Sequence, residues 1–133
     1  MTNEPWKVLT PFAHGILDYV VVAGFALAPM LFGFSARPAT IAYGLAAAHL
    51  VVTLATAFPL GLFKLIPFPV HGALEFCIAL AVIAMPWLSG FSADFAARNF
   101  YVAAGAVIVL VVAVTNYHAT APVRTPLAVP ASR

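Results

Sequence analysis

The sequence predicts an all-α protein, a four-helix transmembrane bundle built from two tandem two-helix repeats. Three observations predict it. The chain is 64% hydrophobic and 8% charged, with a mean hydropathy of +1.05, whereas soluble domains carry about a quarter charged residues. Such a chain cannot cover a water-facing surface, and in lipid only helices and closed barrels satisfy their own backbone. The apolar runs are also longer than the roughly ten residues of a barrel strand, and they do not alternate in polarity. Finally, the sequence repeats itself. His14-Gly15-Ile16-Leu17-Asp18-Tyr19 opens one apolar run and His71-Gly72-Ala73-Leu74-Glu75-Phe76 opens another. Pro29 and Pro86 follow at the same distance, and Gly33-Phe34-Ser35 and Gly90-Phe91-Ser92 close the two runs.

The elements follow in order. Residues 1–10 form a short polar segment with Trp6 and Lys7, an interfacial pair. The first span covers 11–32, near the ~20 residues a bilayer needs. Ala26-Leu27-Ala28 has the small-x-small form of a leader cleavage site. Pro29 follows at once, however, and apolar sequence continues to Phe34, so the run reads as a retained span. Gly33 to Arg37 make a turn, and Pro38 suits the first turn of a new helix, where its missing N–H costs nothing. The second span covers 39–58 and completes the first repeat, residues 11–58.

Pro59-Leu60-Gly61 breaks that helix. Residues 59–69, with Lys64, Pro67 and Pro69, form an apolar connecting segment at the membrane interface. The third span covers 70–88. Ser89 to Asp94 form a turn in which Ser92 or Asp94 caps the next helix. The fourth span covers 96–117 and completes the second repeat, residues 70–117. Residues 118–133 carry Pro122, Pro126 and Pro130 with few large apolar side chains, the composition of a disordered tail.

An even number of spans puts both termini on one side. Lys7, Lys64 and Arg124 fall on that side, Arg37 and Arg98 on the other, so the positive-inside rule predicts cytoplasmic termini in a bacterial inner membrane. The lipid bilayer is the expected partner, with a homo-oligomer or a membrane-protein partner compatible with the small-residue faces. Those faces are Gly44, Ala47 and Ala48 on the second span and Ala103, Ala104 and Gly105 on the fourth. A net charge of +2 without a basic run excludes a nucleic-acid footprint. The lone Cys77 excludes an internal disulfide and reads as a small buried side chain.

The duplication, the length and the proline-aromatic element late in the first helix of each unit resemble the SPW-repeat bacterial membrane proteins. The element stands here as Ala28-Pro29-Met30 and Met85-Pro86-Trp87, so both serines and one tryptophan of the signature are absent. The resemblance covers roughly residues 11–118. It implies a small integral membrane protein without an established catalytic activity, and it supplies no site residues.

The residues themselves nominate a polar site. His14 and Asp18 are one helical turn apart, as are His71 and Glu75, so each pair shares a helix face. Each acid lies about 9 Å into its span, at ~1.5 Å per residue. An acid in a membrane helix is costly, so Asp18 and Glu75 should face protein or water. His49 lies near the middle of the second span with Thr53 and Thr56 on the same stripe. A structural tie between helices is the simplest reading of these groups, and a proton or small-ion path is the next. Two histidines and two carboxylates also suit zinc or iron, but the di-metal bundle pattern uses Glu-x-x-His and more ligands. Haem ligation by a histidine pair has no specific support. The sequence therefore assigns no metal and no cofactor. A polar patch of His14, Asp18, His71, Glu75 and Asn116 at one membrane face is a further expectation, with ordinary headgroup contact as the equal alternative. Trp87 with Phe91, and Phe32 with Phe34, are expected to form the aromatic belt at the other face. The function expected is that of a non-enzymatic structural or accessory membrane component. The alternative is a small oligomeric transporter or proton-linked channel using the His/acid pairs.

Overall fold

A computed structural model describes residues 4–119. Residues 1–3 and most of the expected tail lie outside the described residues. Four helices, α1 (Pro11–Phe32), α2 (Ala36–Ala55), α3 (Phe68–Leu88) and α4 (Phe95–Val114), make up the fold, and each is long and apolar enough to cross a membrane. α1 packs against α2 and α3 against α4, giving two hairpins that meet chiefly through α1 and α4. Much of every helix surface is exposed and apolar, as at Met30, Leu31, Val51, Leu88 and Leu110. A water-soluble protein rarely tolerates such patches, and lipid removes their cost.

The helix ends follow local chemistry. Thr10 caps α1 by accepting from Ala13 N at 3.2 Å, and Pro11 occupies N1. Gly33 (φ 63°) and Gly90 (φ 67°) take the left-handed conformation after α1 and α3. Phe34 N then bonds Pro29 O at 3.1 Å, and Phe91 N bonds Pro86 O at 2.8 Å. The Gly-Phe elements of the sequence are thus the C-terminal turns of the two proline-bearing helices.

α2 begins at Ala36 and not at 39, because Pro38 is accommodated within the first turn. α2 and α4 also end three residues earlier than the expected 58 and 117, each at a threonine. Thr56 and Thr115 turn extended and hand their hydroxyl protons to Val52 O (2.7 Å) and Val111 O (2.6 Å). The extended chain then pairs in parallel. Thr56–Ala57 (β1) meets Ile66–Pro67 (β2), and Thr115 bridges Leu9. Two-residue strands leave no periodicity to read, so the connecting segment and the N-terminal segment carry structure that composition concealed. α3 starts at Phe68, since Pro69 also fits a first turn.

The apolar core fills the half of the bundle near the short turns. Phe25, Ala42, Ala79, Val82, Phe91 and Tyr101 form its centre. Tyr101 donates to Pro38 O at 2.7 Å and so joins α4 to the start of α2 across the hairpins. Phe91 is buried here and is not part of an aromatic belt, whereas Trp87 and Phe32 are exposed as expected. Cys77 is exposed, contrary to the buried side chain expected. α3 buries His71, Glu75, Ala79, Val82 and Pro86, and Cys77 lies two residues, about 200°, around from Glu75. The small face of α2 also turns outward: Gly44, Ala47 and Ala48 are exposed, and Ala42 and Ala46 make the contact instead. On α4, Gly105 packs against Ala79 O and the Ile83 side chain and Ala104 packs at the edge of the core, whereas Ala103 is exposed.

Asp94 ties the two short turns together. Its carboxylate caps α4 through Ala97 N (3.1 Å) and accepts Ser35 N of the other hairpin (2.9 Å). The Ser35 N–H holds this carboxyl below its ordinary value of 3.8. A lowered folded-state value means that the contribution is complete above pH 3.8 and is lost as the pH falls through the lowered value. Asp94→Ala should cost about 1 kcal/mol, the usual worth of a helix cap. Unfolding of the variant in detergent, compared with the parent at neutral and at acid pH, checks this: the difference should vanish in acid.

Candidate buried cation site

The half of the bundle near the chain ends holds a polar cluster in place of an apolar core. His14 and Asp18 come from α1, His71 and Glu75 from α3, and each is at most 5% exposed. The i, i+4 pairs form as expected, His14 Nε2 to Asp18 Oδ1 at 3.3 Å and His71 Nε2 to Glu75 Oε2 at 3.7 Å. They also cross between hairpins. His14 Nε2 lies 3.3 Å from Glu75 Oε2, His71 Nε2 lies 3.4 Å from Asp18 Oδ2, and the two Nε2 atoms are 3.5 Å apart. The two sequence motifs therefore build one site. His49 of α2 stands at its side, Nε2 3.8 Å from Asp18 Oδ1. Thr53, on the same stripe, is fully buried. Asn116 is not part of the cluster; its side chain accepts from His118 N. The other four members of the expected patch do come together, and their burial disfavours the alternative of headgroup contact.

The threonines that end α2 and α4 orient the histidines. His14 Nδ1 lies 2.9 Å from Thr115 Oγ1, and His71 Nδ1 lies 2.8 Å from Thr56 Oγ1. Each histidine thus leans on the threonine of the opposite hairpin. A hydroxyl has one proton, and both threonines give theirs to a helix carbonyl. Each Oγ1 must then accept, so each Nδ1 carries a proton and donates. In the uncharged form of each ring, the Nε2 lone pair faces its counterpart and the carboxylates. Both Asp18 oxygens and Glu75 Oε2 lack a hydrogen-bond partner among the described residues. With both rings uncharged, two Nε2 acceptors and two carboxylates converge with no donor within hydrogen-bond distance among the described residues, and His49 Nε2 stands farther off at 3.8 Å.

Aromatic rings close the cluster on the side of the chain ends. Phe68 packs edge-on to His14 at 5.1 Å and lies 4.7 Å from Tyr117, while Phe58 stacks on Phe68 at 5.6 Å. The motif glycines make room for this lid. A Cβ on Gly15 would meet the Phe58 ring at 2.1 Å, and one on Gly72 would meet the Tyr117 ring at 2.4 Å. Burial, with the nearby Glu75 and Asp18 charges, pushes the Tyr117 hydroxyl well above its usual value and keeps it protonated. Tyr19 donates to Leu60 O at 3.0 Å and Lys64 donates to Phe58 O, which fix the connection that carries Phe58. On the α2–α3 side a cavity of about 60 Å³ reaches His49, His71 and Glu75 between the apolar walls of Phe25, Val82 and Ile108.

No family model, curated protein or solved structure matches the chain.

The sequence nominates the four cluster residues and His49 and places Thr56 on the His49 stripe, but it does not show the pairing of Thr56 and Thr115 with the histidines. Thr56 and Thr115, and the rings of Phe58 and Tyr117, occupy matching positions around the two histidines. A signal for them exists: Phe58 follows Thr56 by two residues, as Tyr117 follows Thr115. It is hidden because the threonines stand two residues farther apart than the histidines do, which breaks the register of the repeat.

Proposed function

We propose that this chain is a small multi-pass protein of the inner membrane, of accessory rather than catalytic type, built around a buried cation-binding site that joins its two hairpins. The observation that carries this reading is the convergence of the His14 and His71 Nε2 lone pairs with the Asp18 and Glu75 carboxylates. Such a set is repulsive, and in a lipid-facing bundle its charge has no water to dissipate it. Cations, whether protons on Nε2 or a metal ion, turn it into the contact that holds α1 to α3. Transport has less support, because the adjoining cavity is small and walled by apolar side chains. The Lys7, Lys64 and Arg124 bias supports cytoplasmic termini, and a reporter fused after Arg133 checks the side. The recurrent proline elements support kinship with the SPW-repeat proteins. The matching pairs Thr56/Thr115 and Phe58/Tyr117 support an origin by duplication.

Asp18→Asn with Glu75→Gln tests the cation reading. The amides are neutral and supply N–H donors to the facing Nε2 atoms, so the double variant should fold without any cation. Its unfolding midpoint in detergent should not respond to chelators or to added ions, and should fall on acidification from about pH 8 to 5, because uncharged imidazoles buried among amides gain protons only on unfolding. The parent should respond to chelators or ions, or its midpoint should rise on acidification. A parent that behaves as the variant does would overturn the reading.

A further inference from the structure

We infer that the cation is a single divalent first-row transition ion, zinc the best match, held by Nε2 of His14 and His71 and by one oxygen each of Asp18 and Glu75. The inference rests on the cation-site reading above and gives the cation its identity. Four features of the site converge on it.

The first is spacing. One donor atom from each of the four residues can be chosen so that all lie within 4.8 Å of one another. The two Nε2 atoms are 3.5 Å apart, Glu75 Oε2 lies 3.3 and 3.7 Å from those of His14 and His71, and Asp18 presents Oδ1 to His14 at 3.3 Å and Oδ2 to His71 at 3.4 Å. A charge-assisted N–H···O bond would draw these atoms to about 2.7–2.9 Å. A tetrahedral ion with bonds of about 2.0–2.2 Å sets its ligands about 3.3–3.6 Å apart. The separations that involve the two histidines are close to the second spacing.

The second is the tautomer. Histidines that ligate a metal commonly donate the other ring N–H to an oxygen, which fixes the ring and aims the lone pair. Thr115 and Thr56 accept from Nδ1 of His14 and His71, and their own protons are committed to Val111 O and Val52 O. Both Nε2 lone pairs are thereby presented to the same point.

The third is charge. Two carboxylates, two neutral imidazoles and one divalent ion sum to zero, the net charge that is least costly to bury among lipid-facing helices. The fourth is donor type. Calcium takes six to eight oxygen ligands, and magnesium keeps an octahedral, largely hydrated shell. Two imidazole nitrogens among four donors select zinc and its first-row neighbours.

The full chain, purified from membranes in detergent without chelator, should carry about one zinc ion per chain by elemental analysis. After chelator treatment, Co²⁺ should give the intense visible bands of a tetrahedral ion, and Zn²⁺ should abolish them where Mg²⁺ and Ca²⁺ do not. Thr56→Val with Thr115→Val should weaken Co²⁺ binding by about 10–100-fold, as loss of outer-shell partners does. Thr56→Ser with Thr115→Ser keeps the hydroxyls and should bind as the parent does. Circular dichroism in the absence of metal monitors the fold of both variants. Should the valine variant fail to fold, the serine variant and the Co²⁺ spectrum of the parent still decide. An unfolding midpoint that rises on acidification but ignores every metal would overturn the inference and leave the cation site protonic. A midpoint that ignores every metal and falls on acidification would instead overturn the cation site. Weak octahedral Co²⁺ bands, or displacement by Mg²⁺, would also overturn the inference.

Discussion

His14→Ala should destabilise the folded protein by about 3–5 kcal/mol, the cost of removing one partner from a buried charged contact. The reason is the number of groups that share this ring. Nε2 faces Asp18 and Glu75 at 3.3 Å each, and Nδ1 meets Thr115 at 2.9 Å. Truncation removes one of the two Nε2 atoms that hold the cation, proton or metal ion, against both carboxylates; only His71 Nε2 stays at close range, and His49 lies farther, 3.8 Å from Asp18. It also opens a void beneath Phe68. The mirror change, His71→Ala, should cost a similar amount, since Thr56 and both acids stand around it in the same way. His14→Ala combined with Asp18→Asn should cost less than the sum, with a coupling of about 0.5–3 kcal/mol for groups in one network. Equilibrium unfolding of the purified protein in detergent gives all four values. A cost below about 1 kcal/mol for His14→Ala would mean that water or headgroups solvate the acids, and the buried site would be abandoned.

The same residues show what was legible beforehand. Apolar length and the absence of alternation sufficed for four helices, because lipid leaves the backbone few choices. The i, i+4 spacing was enough to pair His14 with Asp18 and His71 with Glu75. Fusion of the two pairs into one site was not legible, since it depends on α1 and α3 meeting at the same depth and angle. Helical periodicity says nothing about that. The outward turn of Cys77 and Gly44 escaped for a related reason. In a chain where nearly every position is apolar, hydrophobicity does not distinguish a helix face that meets protein from one that meets lipid. The polar residues do: on α3 the stripe through His71 and Glu75 continues to the buried Ala79, Val82 and Pro86, and on α2 Thr53 lies on the buried face. In a lipid-facing bundle the acids and histidines mark the inward stripe, and the small residues read as an interface on α2 do not.

Gly15→Ala and Gly72→Ala should each destabilise the protein by about 1–3 kcal/mol or more, the range for overpacking a filled site. Mid-helix glycine replaced by alanine ordinarily gains up to about 1 kcal/mol, so the sign itself is diagnostic. The added methyl would stand 2.1 Å from a carbon of the Phe58 ring, or 2.4 Å from one of Tyr117. Neither ring can retreat without cost. Phe58 is 4% exposed and stacks on Phe68, and Tyr117 packs between Phe68 and His14. Displacing either ring lifts the lid that separates the His/acid cluster from the membrane surface. Each glycine variant should therefore show a second effect, faster chemical modification of His14 and His71 by an imidazole reagent added from water. Gly24→Ala serves as the contrast. Nothing lies within 4 Å of a Cβ built there, and that change should leave histidine reactivity unchanged and raise stability slightly. Equal behaviour of the three variants would show that the glycine after each histidine is there for helix flexibility and not to seat an aromatic lid. The His-Gly pair that opens each repeat would then need another explanation. With the expected outcome, the pair reads as one device: the histidine supplies the site, and its neighbour's missing side chain lets a ring from the end of the same hairpin close over it.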